Sequence, residues 1–228
     1  FVTEMLPSTI ERKRTKTVYE SWDKHTKAKN KGYFNQFPRN VLQRNMGNSG
    51  FFELGRMAGI SSTEWSWASL FFDADNDGLK DIFISNGIYK DLLDRDYLTY
   101  YANDLNMKNI LNDENFLISQ LIDIMPSKPV VNHIYKNKGD FKFDYVSEDW
   151  GLNQESFSNG SAYGDFDNDG DQDLIVNNVN MPFFIFENLS DSTVNKSVKI
   201  KLSSKSLNTN AIGSKVVAYY GTKKSLFD

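Results

Sequence analysis

The sequence predicts a mainly β fold: a partial β-propeller of four-stranded blades with α-helical insertions. Three observations carry this. A stretch of about 50 residues recurs, in register, 92 residues further on. Each copy breaks into four short strand-like segments separated by turn signals. Each copy also carries the same nine-residue aspartate loop ahead of its last strand.

The repeat comes first, because a missed repeat misreads the whole chain. Residues 39–88 overlay on 131–180 without a gap, and 14 of the 50 positions are identical. Asn40 meets Asn132, Asn45 meets Asn137, Gly47 meets Gly139 and Phe51 meets Phe143. Gly59 meets Gly151, Ser66 meets Ser158 and Asn86 meets Asn178. Other pairs keep their character, as in Leu42/Ile134, Leu54/Val146, Ile60/Leu152 and Ile84/Val176.

Taken in order, residues 1–38 form an N-terminal helical segment. The run 9–30 places Ile10, Val18, Tyr19 and Trp22 among charges, with Ser8 or Thr9 as cap and Pro7 just before. Residues 39–88 form the first blade repeat: "NVLQRN", a turn, a strand ending near "FELG", the aromatic strand "WSWASLFF", the aspartate loop and "DIFIS". Residues 89–128 are a helical insertion of two helices broken near 109–114 and ended by Pro126 and Pro129; it stretches the offset to 92. Residues 129–190 repeat the blade pattern through "NHIYKN", "FDYVS", "FSNGSAYG" and "DLIVN". There "PFFIFENL" is the first strand of a further blade. Residues 191–228 form a truncated β module, with "SVKIKLSS" and "SKVVAYYG" as alternating strands.

The loops read D-x-D-x-D-G-x-x-D. Their carboxylates are Asp73, Asp75, Asp77 and Asp81 in one copy, and Asp165, Asp167, Asp169 and Asp173 in the other. Oxygen donors at positions 1, 3 and 5 can turn inward together, and the glycine at position 6 permits the sharp turn. The backbone carbonyl at position 7, Leu79 or Asp171, adds an oxygen, and the position-9 aspartate closes the shell. Hard oxygen ligands at this spacing point to Ca²⁺, two sites in all. Position 12 is Ile84 or Val176 rather than a bidentate glutamate, so neither loop is an EF-hand. A solvated acidic turn would also use Asp and Asn. Four like charges repel, however, unless a cation or protons compensate.

Bulk properties exclude several classes. The 228 residues suffice for one large domain or two small ones. A net charge of −4 leaves no basic footprint for nucleic acid. There is no cysteine, hence no disulfide, thiolate nucleophile or cysteine metal site. No apolar run reaches the length of a membrane span. Starting at Phe1, the chain reads as part of something longer.

The stretch "AYGDFDNDGDQDLIV" resembles the FG-GAP or VCBS repeat of integrin α-chain N-terminal propellers and their bacterial relatives, over residues 39–88 and 131–190. "NTNAIGSKVVAYY" resembles the opening of an ASPIC/UnbV module, and "EMLPSTIERKR" with "EWSWASLFFDADNDGLKDIFISNG" is similar to large Bacteroidetes-type VCBS proteins. The first copy departs from the pattern, with Phe71–Phe72 in place of Tyr163–Gly164. The resemblance implies an extracytoplasmic, calcium-stabilised binding or adhesion module with a protein or glycan partner, no catalysis of its own, and further blades in a longer parent chain. The alternatives are part of a polysaccharide-active enzyme with its site in a propeller pocket, or a structural spacer of a large surface protein.

Trp65, Trp67 and Trp150 are candidates for a sugar-stacking platform; blade core is the competing role, since Trp65 aligns with Phe157. His25 lies in a charged helix, and His133 fills a slot equivalent to Val41, which favours packing. No carboxylate outside the loops is singled out, and no GxSxG, HExxH or phosphate loop occurs. The insertion is either a partner-binding surface or a cap over a sheet edge.

Overall fold

A computed structural model describes residues 1–16, 22–34, 37–100, 108, 118–190, 198–205, 207–221 and 223–227. Strand exceeds helix, 29 % against 16 %, in several small antiparallel sheets. The first copy supplies β1 (Gln43–Asn45), β2 (Phe51–Glu53), β3 (Ser66–Phe72) and β4 (Asp81–Asn86). The second begins with the short β5 (Val130–Val131), then β6 (His133–Asn137) and β7 (Phe143–Tyr145). It continues through the short β8 (Glu155–Ser156), which pairs with β5, to β9 (Ser158–Gly164) and β10 (Asp173–Asn178). Shifting by 92 carries β3 onto β9 and β4 onto β10, residue for residue. β11 (Phe184–Phe186) pairs with β10 as β6 pairs with β4: Phe186 lies opposite Leu174 as Tyr135 lies opposite Ile82. The strand expected to open a third copy is therefore present, now only 51 residues after its counterpart.

Sheet and sequence unit are out of phase. The four strands of one copy were expected to make one sheet, but the complete sheet runs β3–β4–β6–β7 across the insertion. β1 and β2 pair only with each other among named strands, and β9–β10–β11 make a three-stranded sheet. The reason is burial. Every residue of β4 is buried, so its free edge needs a partner strand rather than water. β6 supplies that edge.

The first residues of the chain complete the pattern. Val2 bridges Val41 as Ile84 pairs with His133. The Glu4 N–H donates to Asn40 Oδ1 at 2.7 Å, as the Asn86 N–H does to Asn132 Oδ1 at 2.8 Å. Thr3 Oγ1 donates to the Trp67 carbonyl, and Ser85 Oγ to the carbonyl of Asn159, the equivalent of Trp67. Residues 1–4 thus take the β4 slot beside β1. The described residues hold three successive sheets: the first incomplete, the second whole, the third lacking its outer strand.

Two apolar cores fill the gaps between these sheets. Leu42, Leu54, Ala58 and Ile60 pack on Ile82, Ile84 and Tyr135, with Phe1 against them. Their equivalents Ile134, Val146, Trp150 and Leu152 pack with Leu174, Val176 and Phe186. Alternation along β4 explains the sharing: Ile82 and Ile84 face the first core, and Phe83 the second. Gly87 marks the closest approach. Its φ is +135°, and a Cβ there would lie 2.7 Å from Phe157 Cα. These sheets do not close into a ring or barrel.

The segment expected as one helix over 9–30 is described as α1 (Ile10–Lys16) and α2 (Trp22–Asn30); Val18 and Tyr19 lie outside the described residues. Thr9 is the cap, its Oγ1 accepting the Arg12 N–H. Arg12–Glu64 (2.8 Å) and Lys16–Asp91 (2.7 Å) hold α1 against the sheets and the start of the insertion. Of the insertion, α3 (Arg95–Tyr100) and α4 (Ile118–Asp123) are described, tied by Tyr97 Oη donating to the Leu121 carbonyl. Most of 101–117 lies outside the described residues. Near the end, β12 (Val216–Tyr220) falls in the expected "SKVVAYYG" and forms a hairpin with β13 (Lys223–Phe227). "SKVVAYYG" thus gains a partner strand. In "SVKIKLSS" the described residues 198–204 carry no strand.

Candidate metal centre

Each aspartate loop joins the end of an inner strand to the start of the next, β3 to β4 and β9 to β10. Asn76 and Gly78 adopt φ of 56° and 85°, and Asn168 and Gly170 67° and 101°. Asn and Gly are the residues that accept this left-handed backbone, which explains the shared D-N-D-G. In the first loop Asp73 accepts the N–H groups of Asp77 (3.0 Å) and Gly78 (2.9 Å). Asp77 Oδ1 accepts that of Leu79 at 2.8 Å, and Asp169 Oδ1 accepts that of Asp171 at 3.1 Å.

The position-9 aspartates do more than face the loop. Asp81 accepts the N–H of Ala74 (3.0 Å) and of Asn137 (2.8 Å). Asp173 accepts those of Phe166 and Asn188, both at 2.9 Å. Asn137 and Asn188 return the contact, donating Nδ2 to the carbonyls of Lys80 and Gln172. Each loop is thereby fastened to the entry strand of the following copy. That reciprocal bond is shared by Asn137 and Asn188, and all three recurring asparagines, Asn45 included, accept the N–H two residues on.

Two groups of side chains bring carboxylate oxygens within 4.8 Å of one another: Asp73, Asp75 and Asp81, and Asp165, Asp167 and Asp169. Either group can hold a metal ion. Two of the eight carboxylates predicted at positions 1, 3, 5 and 9 fall outside these groups. Asp77 turns its carboxylate to the Leu79 N–H and towards Lys136, and Asp173 spends both oxygens on backbone N–H groups. Of the two position-7 residues, the Leu79 N–H is held by Asp77, and Asp171 accepts the Ser190 N–H through Oδ2.

The donor set fits a hard divalent cation. Oδ1 of Asp165 and Oδ1 of Asp171 are buried without a hydrogen-bond partner among the described residues. Acceptors in that state are costly unless a cation or proton meets them. Burial, helped by Asp75 and Asp77 nearby, pushes Asp81 up to about 6. Asp73 is raised for the same reasons, though the N–H of Gly78 opposes the shift. Burial and the neighbouring Asp169 carry Asp171 to about 6. Desolvation also pushes on Asp165, but Lys199 outweighs it and holds that carboxyl below its ordinary value.

The tryptophans do not form one platform. Trp65 and Trp67 sit together, ring centres 6.4 Å apart, at the end of the sheet remote from the loops. Trp67 is 46 % exposed and donates its indole N–H to the Gly87 carbonyl. Trp150 packs in the second core, where Ala58 stands in the first, and borders a cleft of about 390 Å³ with Asp149 and Glu187. His25 stacks on exposed Trp22. His133 packs edge-on against Tyr135 and Tyr145, and burial lowers its pKa to about 4.

Sequence reasoning missed a buried polar network. Asn40 Nδ2 donates to Thr63 Oγ1 (2.6 Å), Thr63 meets Ser66, and Ser66 donates to Asn86 Oδ1 (2.8 Å). In the second copy Asn132 and Ser156 meet Ser158, which donates to Asn178 Oδ1 at 2.7 Å. The signal was in plain view as three identities at offset 92. In comparison with known proteins, no family model and no curated sequence matches this chain. No helix among the described residues is long and apolar enough to cross a membrane.

Proposed function

We propose that the chain is an arc of a calcium-tied β-propeller, an extracytoplasmic binding module whose partner is a protein or glycan. The observation that carries the calcium reading is the pair of carboxylate clusters in equivalent loops, each fastened to the next copy through its ninth residue. Asp73, Asp75 and Asp81 would hold one ion, and Asp165, Asp167 and Asp169 the other. The ion supplies charge neutralisation. The residues then hold two strands and the following copy in one geometry, so a blade keeps its place in the stack.

The propeller reading is supported by three sheets stacked face to face in one repeating register, with further blades expected from the parent chain. The binding reading is supported by the exposed aromatics at the end opposite the loops: Trp67 beside Trp65, and Tyr89 close by on the Asn86–Gly87 exit. A stiff scaffold with aromatic side chains at one end suits stacking against a sugar or a peptide.

Two experiments test the proposal. Removal of calcium with EDTA is expected to lower the melting temperature, and Asp167→Ala to reproduce much of that loss with calcium present. For the partner, the chain is screened on a glycan array alongside Trp67→Ala. Binding that the variant loses supports the glycan reading. Hydrolysis of a bound polysaccharide would replace the binding module with an enzyme.

A further inference from the structure

The two loops differ in one neighbour. Lys136 on β6 reaches back to the first loop, its ammonium bonded to Asp75 Oδ2 and 3.5 Å from Asp77 Oδ2. Just past β11 the equivalent position, one residue before the clamping asparagine, is Glu187. The second loop also carries Asp171 where the first has Leu79. Among the described residues its ion-pair partner is Lys199, whose side chain is 72 % exposed against 26 % for Lys136. An exposed ammonium is screened and swings away at little cost; a sheltered one does not.

Resting on the calcium reading above, we infer that Lys136 is a tethered cation that stands in for the ion at the first loop and competes with it. The second loop is then the tighter calcium site. The first loop keeps its shape without metal because Lys136 neutralises Asp75 and Asp77. Calcium enters there only as the ammonium leaves, so the affinity measured at that site is reduced by the contact it must break. Among the described residues, the second loop gathers five aspartates about the exposed Lys199, with no sheltered lysine bonded to them. Its loss of metal leaves repelling carboxylates.

The test is a calorimetric titration of calcium chloride into the metal-stripped full chain, for the native sequence, Lys136→Met and Lys199→Met. Melting is followed in EDTA and in calcium for all three. The native chain is expected to bind two ions with affinities at least about tenfold apart. Lys136→Met should tighten the weaker site about tenfold and lower the melting temperature in EDTA but not in calcium. Lys199→Met should change either site by a smaller factor. Where Lys136→Met is insoluble, Lys136→Gln carries the same expectation. Two equal sites in the native chain, or a weaker site indifferent to both Lys136 variants, would overturn this inference and leave the calcium reading standing. No calcium bound by any of the chains would remove both.

Discussion

The second and third sheets share their first three strands, the aspartate turn and its hydrogen bonds, yet one is enclosed and the other open. Phe83 on β4 is fully buried, whereas its equivalent Ile175 on β10 is only half-buried. Ile134 on β6 is 2 % exposed and its counterpart Ile185 on β11 is 60 % exposed. The backbone geometry thus follows from local code: asparagines, glycines and aspartates at fixed offsets. Burial follows from the neighbour. A sheet of this kind completes its core only when another sheet lies on each face.

That contrast can be broken by substitution. Phe83→Ala empties a site covered on both sides and is expected to cost about 3–5 kcal/mol in chemical denaturation. Ile185→Ala, on the open edge, should cost under about 1 kcal/mol. Equal costs would mean that the third sheet is as enclosed as the second. Asn132→Ala comes next, at about 1–3 kcal/mol, because it strands the Asn86 N–H inside the sheet junction and takes one partner from Ser158. A cost near zero would demote the polar network to a bystander.

A further effect sharpens the comparison through pH. His133 is held neutral, with its pKa at about 4 instead of 6.5. The folded chain therefore binds fewer protons there than the unfolded chain does. The stability this imidazole allows is intact above pH 6.5 and is lost as pH falls towards 4, by up to about 3 kcal/mol. His133→Phe installs the residue that Phe184 already supplies at the equivalent place on β11. The variant should flatten the stability profile between pH 6.5 and 4; an unchanged slope would place the titration elsewhere.

Much of this was legible beforehand, in specific places. The repeat, the aspartate loops and the strand opening a third copy could be read from spacing, because left-handed turns and period-two strands are local demands. Strand partnership could not. Nothing in "NHIYKN" says that it will pair with "DIFIS" across the helical insertion rather than with "DLIVN" of its own copy. The meaning of Asn40, Ser66 and Asn86 was hidden likewise, since a buried hydrogen bond needs both partners placed. Asp77 and Asp173 illustrate the same limit. Their spacing suits a ligand, but the folded loops turn Asp77 to the Leu79 N–H and Lys136, and Asp173 to the N–H groups of Phe166 and Asn188.

The central claim is that calcium ties the loops and through them the stack of sheets. Its most direct test is calcium stoichiometry by native mass spectrometry of the full chain, with melting measured before and after EDTA. Two calcium ions per chain, a lower melting temperature after chelation, and recovery on adding calcium but not magnesium are the predicted result. A chain that binds no calcium and melts at the same temperature throughout would contradict it.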